Sequence, residues 1–189
     1  MARLFIALEL SESTRTQLTQ FQKEIRSILK TVSWVKPGSM HLTLKFLGEV
    51  PEEQIPAIGE ALDKSLEGIS AFDLEVRGSG VFPNWSGPRV LWAGIAQGEP
   101  AVKTMAERIK NGMEPLGFKK EPYPFVPHLT LGRVKGRLGG EKERAEKIFW
   151  EKKGLHFGIQ HVSEVILMQS TLTPQGAVYK KIKNRRLKE

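Results

Sequence analysis

The tetrapeptide His-Leu-Thr-Leu occurs twice, as His41-Leu42-Thr43-Leu44 and as His128-Leu129-Thr130-Leu131. Each copy follows a proline, Pro37 or Pro127, and runs into a glycine, Gly48 or Gly132. Shared context on that scale points to two related halves rather than to an array of short repeats. In a strand, residues i and i+2 share a face. Each copy therefore sends its His and Thr one way and its two leucines the other. The leucines can anchor in a core, and the His/Thr pairs face a common cleft if the halves pack face to face.

The remaining pattern places these strands in an α+β chain. Arg3 to Leu10 reads as a buried strand, Ser11 as an N-cap, and roughly 12–30 as an amphipathic helix through Leu18, Phe21, Ile25, Ile28 and Leu29. Trp34-Val35 is a short strand, Pro37-Gly38 a turn, and Met40 to Leu47 a strand. Pro51 opens a second helix on Ile55, Ile58, Leu62 and Leu66. Strands follow at 72–76 and 89–95, with a turn cluster at 84–88 between them. A helix from Pro100 to Met113 closes near Gly117. His128 to Val134 is a strand and Glu141 to Trp150 a short charged helix. Gly158 to Gln169 reads as one central strand. Pro174-Gln175-Gly176 turns into a last strand, Ala177 to Ile182. Many strands are joined by turn-length links, which favours antiparallel sheets over a doubly wound parallel one. No low-complexity linker divides the chain, so 1–189 is read as one domain.

Two imidazoles suit acid–base catalysis near neutrality, because one can be neutral while the other is protonated. The neutral ring takes a proton from a nucleophile, and the protonated ring gives one to a leaving oxygen. The Thr43 and Thr130 hydroxyls can donate to phosphate oxygens. Arg133, next after the second motif, brings a guanidinium fork that matches them. Strict alternation puts Arg133 on the face opposite Thr130, so a twist or bulge after Gly132 is needed to bring it back. Two His and two Thr with no carboxylate are poor zinc ligands, so no metal or cofactor is expected. His156 and His161 have no such repeat and read as ordinary.

Composition narrows the setting. The 189 residues contain no cysteine, which excludes disulfides, thiolate zinc sites and a Cys nucleophile. No apolar run approaches a membrane span, and the N-terminus lacks the plan of a signal peptide, so a cytoplasmic monomer is expected. The formal charge is +8, unevenly placed. Residues 1–94 hold 10 Lys/Arg against 11 Asp/Glu, whereas 95–189 hold 19 against 10. Lys180 to Glu189 alone supply six basic groups, read either as a solvated tail or as a surface for a polyanion.

The paired His-x-Thr motifs resemble those of the 2H phosphoesterase superfamily. More closely, the chain is similar to the RNA 2′,3′-cyclic phosphodiesterase family, also called 2′-5′ RNA ligase. The matching stretches are Arg3 to Leu8, Trp34-Val35 with HLTLKFLG from His41, Pro124-Phe125-Val126-Pro127 leading into HLTLGR from His128, and Ser170 to Tyr179 with Leu172, Pro174 and Gly176. The resemblance implies a bilobal fold with pseudo-twofold symmetry around a central cleft. It also implies metal-independent opening of a terminal 2′,3′-cyclic phosphate of RNA, tRNA fragments among the candidates, to a 2′-phosphate. On that carry-over His41 is the proton donor, His128 the proton acceptor, and Thr43, Thr130 and Arg133 the phosphate-binding groups. The local sequence does not tell the two histidines apart. Phe5, Trp34, Phe46 and Phe125 stand near the motifs as candidates for core packing or for base stacking. Two alternatives use the same residues differently: 2′-5′ ligation of tRNA-half-like ends by the reverse reaction, and a non-catalytic RNA-binding protein relying on the basic half.

Overall fold

Alternating apolar residues build most of a single curled sheet. The computed structural model describes residues 1–174 and 176–189. In chain order the elements are β1 (Ala2–Glu9), α1 (Glu12–Arg26), β2 (Val32–Trp34), β3 (His41–Val50), α2 (Ile55–Ser65), β4 (Phe72–Phe82), β5 (Val90–Ile95), α3 (Glu99–Met113), β6 (His128–Val134), α4 (Glu141–Glu151), β7 (His156–Val162), β8 (Glu164–Thr173) and β9 (Gly176–Arg186). The strand order is β7-β4-β5-β6-β3-β1-β8-β9, with β2 pairing on β6, and every pairing between these strands is antiparallel. The α+β, two-lobed expectation is met. One lobe is β3-β1-β8-β9 and the other is β7-β4-β5-β6, and the two His-x-Thr strands meet at the seam.

The helices cover one face of this sheet. Ser11 caps α1, accepting from the Thr14 amide at 3.2 Å, a contact of the kind worth about 1 kcal/mol. Leu18, Phe21 and Ile25 of α1 are buried, and Phe21 meets Phe157 of β7 and Phe149 of α4. The helix ends at Arg26, earlier than the apolar spacing suggests. Ile28 and Leu29 close it with bonds back to the Ile25 carbonyl before the chain enters β2. Helices α2 and α3 pack on each other and on the other lobe, where Ile58, Leu62, Met105 and Ile109 are fully buried. Full burial of such side chains contributes about 1.5–3 kcal/mol each.

Two readings of the sequence need correction. The expected strand 158–169 is two strands, β7 and β8, lying in different lobes. The chain crosses at Ser163, whose carbonyl accepts from the Leu187 amide, and no Gly or Pro marks the crossing. The basic C-terminus is not a solvated tail. It is the edge strand β9, running to Arg186, and Leu187 beyond it is buried. Lys183 and Arg185 pair with Asp63 of α2, so part of the positive excess holds β9 against that helix. The β9 strand belongs to the lobe that carries His41, so the basic segment lies with His41 and not with His128. The expected turn at Pro174-Gln175-Gly176 includes Gln175, which lies outside the described residues.

Candidate active site

His41 is the first residue of β3 and His128 the first of β6. The pair Leu42–Leu129 fixes the register of these neighbouring strands. Antiparallel counting from it puts His41 opposite Thr130 and Thr43 opposite His128. Leu42, Leu44, Leu129 and Leu131 are buried in the main core, while the two His and two Thr are half-buried on the other face. The i, i+2 argument therefore holds in both strands, and the sheet brings all four groups together.

Two bulges finish this face. Trp92 of β5 pairs with Thr130 and Leu91 with Gly132, which leaves Leu131 as an extra residue in β6. Leu131 and Gly132 both turn into the core, and Arg133 emerges exposed on the face of Thr130. Strand β3 does the same against β1. Ala7 pairs with Thr43 and Ile6 with Lys45, Leu44 is the extra residue, and Phe46 emerges exposed. Phe46 and Arg133 thus hold equivalent positions in the two lobes. Each bulge has a local cause. A Cβ at Gly132 would stand 2.6 Å from Val32 Cγ1, so β2 leaves room only for glycine there. Lys45 is buried, and its Nζ donates to the Lys119 carbonyl at 2.8 Å and the Glu121 carboxylate at 2.6 Å, tying β3 to the segment that leads into His128.

Both imidazoles are held the same way. His41 Nδ1 lies 2.9 Å from the Ser39 carbonyl, and His128 Nδ1 lies 2.8 Å from the Val126 carbonyl, in each case two residues upstream. A carbonyl only accepts, so Nδ1 carries hydrogen in both rings and Nε2 is left for chemistry. His41 stacks on Phe5 at 4.7 Å and meets Tyr179 edge-on at 5.2 Å, whereas His128 meets Phe82 edge-on at 5.1 Å. Burial holds the His41 imidazole below its ordinary 6.5, opposed by the Ser39 carbonyl and the charge of Glu9. Glu9 pairs with His41 across β1 and β3, and Lys181 of β9 donates to its carboxylate. Burial pushes the Tyr179 phenol up, and the charges of Arg133 and Arg3 act in the opposite direction.

Arg3, Tyr179, Phe82, Trp92 and the two carbonyls join the site without having been singled out from the sequence. Arg3 was within reach, because it shares the parity of Phe5 in β1. Tyr179 was not, because only the pairing of β8 with β1 and β9 brings it beside Phe5, at 5.2 Å. The four aromatic candidates separate clearly. Phe5 is buried against His41, Trp34 and Phe125 pack on the main core, and Phe46 is 48% exposed. His156 and His161 lie on edge strand β7, facing Glu75 and Asp73. Among the described residues, no three His, Asp or Glu side chains converge as metal ligands would.

A model of the family described as LigT like Phosphoesterase matches the chain twice, at residues 8–92 and 95–179, so that each match contains one His-x-Thr strand. Relatives named RNA 2′,3′-cyclic phosphodiesterase include one from Methanothermobacter thermautotrophicus, 34% identical over 94% of this chain and 94% of its own length. Another, from Methanocaldococcus jannaschii, is 37% identical over 96% of this chain and 98% of its own. The crystal structure of TT0787 from Thermus thermophilus superposes with a TM-score of 0.80 at 32% identity, covering 98% of this chain and 97% of that one. The fold and the doubled match define a bilobal phosphoesterase class with one His-x-Thr strand per lobe. Within that class, the chain belongs to the LigT-like phosphoesterase family.

Proposed function

We propose that this protein opens the 2′,3′-cyclic phosphate at the end of an RNA to a 2′-phosphate, using two histidines and no metal or cofactor. The observation that carries the reading is the seam itself: two imidazoles, each with Nε2 free and Nδ1–H held by a carbonyl, flanked by two threonines and a guanidinium on one helix-free face. The activity printed for the relatives supports it.

In this mechanism the phosphate sits between the strands, its non-bridging oxygens taking hydrogen bonds from Thr43, Thr130 and Arg133. His128 Nε2 removes a proton from water as the water oxygen bonds to phosphorus. The P–O3′ bond breaks, and His41 Nε2 gives its proton to the departing O3′. The products are a 2′-phosphate and a 3′-hydroxyl. The cyclic diester is already tethered, so placed acid, base and charge stabilisation suffice. His41 is neutral-leaning in the free protein because it is desolvated. The bound phosphate anion favours its charged form and so prepares it as the donor. The protein acts as a cytoplasmic monomer on RNA ends.

The test is product identification on RNA carrying a cyclic phosphate end, in the presence of chelator. The expected result is a 2′-phosphate with a free 3′-hydroxyl. Product formed only with added divalent metal, or a 3′-phosphate as the product, would contradict the mechanism.

A further inference from the structure

One position on the core stripe of α1 is polar. Leu18, Gln22 and Ile25 follow one another on the covered face of the helix, and all three are buried. A primary amide in that setting is costly unless its hydrogens are used. The Gln22 Nε2 donates to the Leu131 carbonyl at 2.8 Å and to the Val35 carbonyl at 2.7 Å. Both partners only accept, so the amide nitrogen and not Oε1 faces them. Leu131 is the extra residue of the β6 bulge, two positions before Arg133. Its carbonyl also accepts from the Val35 amide at 3.0 Å, so both of its lone pairs are taken. Val35 follows β2 and leads to the Ser39 carbonyl that holds His41.

We propose that Gln22 is a positioning residue for phosphate capture, clamping the Leu131 peptide in the bulged geometry that turns Arg133 onto the cleft face. The proposal rests on the hydrolase reading above and deepens it. Among the described residues no carboxylate pairs with Arg133, so its main chain decides where the guanidinium goes. A bulge leaves its extra residue outside the ladder. Without the Gln22 donor the buried Leu131 carbonyl keeps one partner, and the peptide is free to turn back toward regular pairing with β5. Such a turn carries Arg133 away from Thr130. Leu18, Phe21 and Ile25 seat α1 on the core, which makes Gln22 a fixed post for the part of β6 that the ladder has released. The other lobe secures its bulge differently. There the extra residue Leu44 is followed by Lys45, anchored on the Lys119 carbonyl and Glu121.

The experiment is a double-mutant cycle on RNA ending in a 2′,3′-cyclic phosphate, with wild type, Gln22→Met, Arg133→Ala and the double variant. Gln22→Met keeps the side-chain length and removes the donors. With Arg133 present it should raise KM about ten-fold, with a smaller change in kcat, because the guanidinium is displaced rather than lost. In the Arg133→Ala background it should leave KM unchanged, while Tm falls alike in both backgrounds. The same fold-change of KM in both backgrounds, or none in either, would overturn the clamp and leave Gln22 a packing residue. Gln22→Asn, one methylene too short to reach both carbonyls, is read by the same criterion and serves if the methionine variant does not fold. A wild-type protein that opens no cyclic ester contradicts the hydrolase reading instead. Inorganic phosphate, titrated by NMR of the His41 ring, then decides the clamp. Phosphate binding weakened by Gln22→Met only when Arg133 is present supports it. Equal weakening in both backgrounds, or no binding by wild type, overturns it.

Discussion

At the scale of the residue, the two histidines differ in surroundings although they share a sequence motif. His41 lies between Phe5 and Tyr179 with Glu9 across the strand, whereas His128 has Phe82 at its edge. Desolvation disfavours the imidazolium, so the His41 ring in the free protein should titrate below 6.5. An anion nearby favours the charged form, so saturation with inorganic phosphate should move that titration upward. NMR titration of the His41 ring checks both statements; a midpoint that phosphate leaves unmoved would place the anion elsewhere. Removing either ring should cost about 10²–10⁴-fold in turnover, the usual worth of a general acid or base. His41→Ala and His128→Ala should each reach that loss with the fold intact by circular dichroism. That these residues share one face was legible because His-x-Thr fixes parity without reference to anything distant. The Nδ1 partners were not, since main-chain carbonyls carry no residue signature.

At the scale of the element, the bulges decide what the cleft contains. Alternation alone puts Arg133 on the wrong face, and the extra residue Leu131 turns it back. Gly132 permits this by facing β2, where an added Cβ would meet Val32 Cγ1 at 2.6 Å. Gly132→Ala should therefore destabilise by about 1–3 kcal/mol and, by shifting the strand, raise KM. Thermal melts and steady-state kinetics on the same variant test the pair of effects; a variant with a lower Tm and wild-type KM would separate Arg133 from substrate binding. The need for a twist or bulge in β6 could be read from the sequence, because a basic residue useful to phosphate stood at the wrong parity, although the bulge falls at Leu131 and not after Gly132. The matching bulge at Leu44 could not, because Lys45 reads as a surface residue and is in fact buried on the Lys119 carbonyl and Glu121. The N-cap of α1 at Ser11 and the start of α3 beside Pro100 followed local patterns. The break between β7 and β8 did not, since no Gly or Pro marks Ser163 and only the pairing partners change.

At the scale of the whole molecule, the repeat in sequence and the lobes in space are not the same division. Strands β8 and β9 return to the lobe of β1 and β3, so the C-terminal cations lie in the lobe of His41, and two of them are engaged by Asp63. Arg3 comes from the acidic half of the chain, yet it stands on the cleft face with Arg133. Net charge by sequence half therefore does not locate the cations of the cleft. For an RNA substrate, KM should rise with ionic strength while kcat changes less, because exposed charges that gather a polyanion are screened by salt. A salt-insensitive KM would return those cations to a solvated surface. The central claim is that the seam between the lobes is one catalytic site requiring both strands. Phosphorus NMR of a cyclic-phosphate RNA end, in chelator, with wild type, His41→Ala and His128→Ala, tests it most directly. The cyclic signal should give way to a 2′-monoester with wild type alone. Conversion at a near-normal rate by either variant would contradict it.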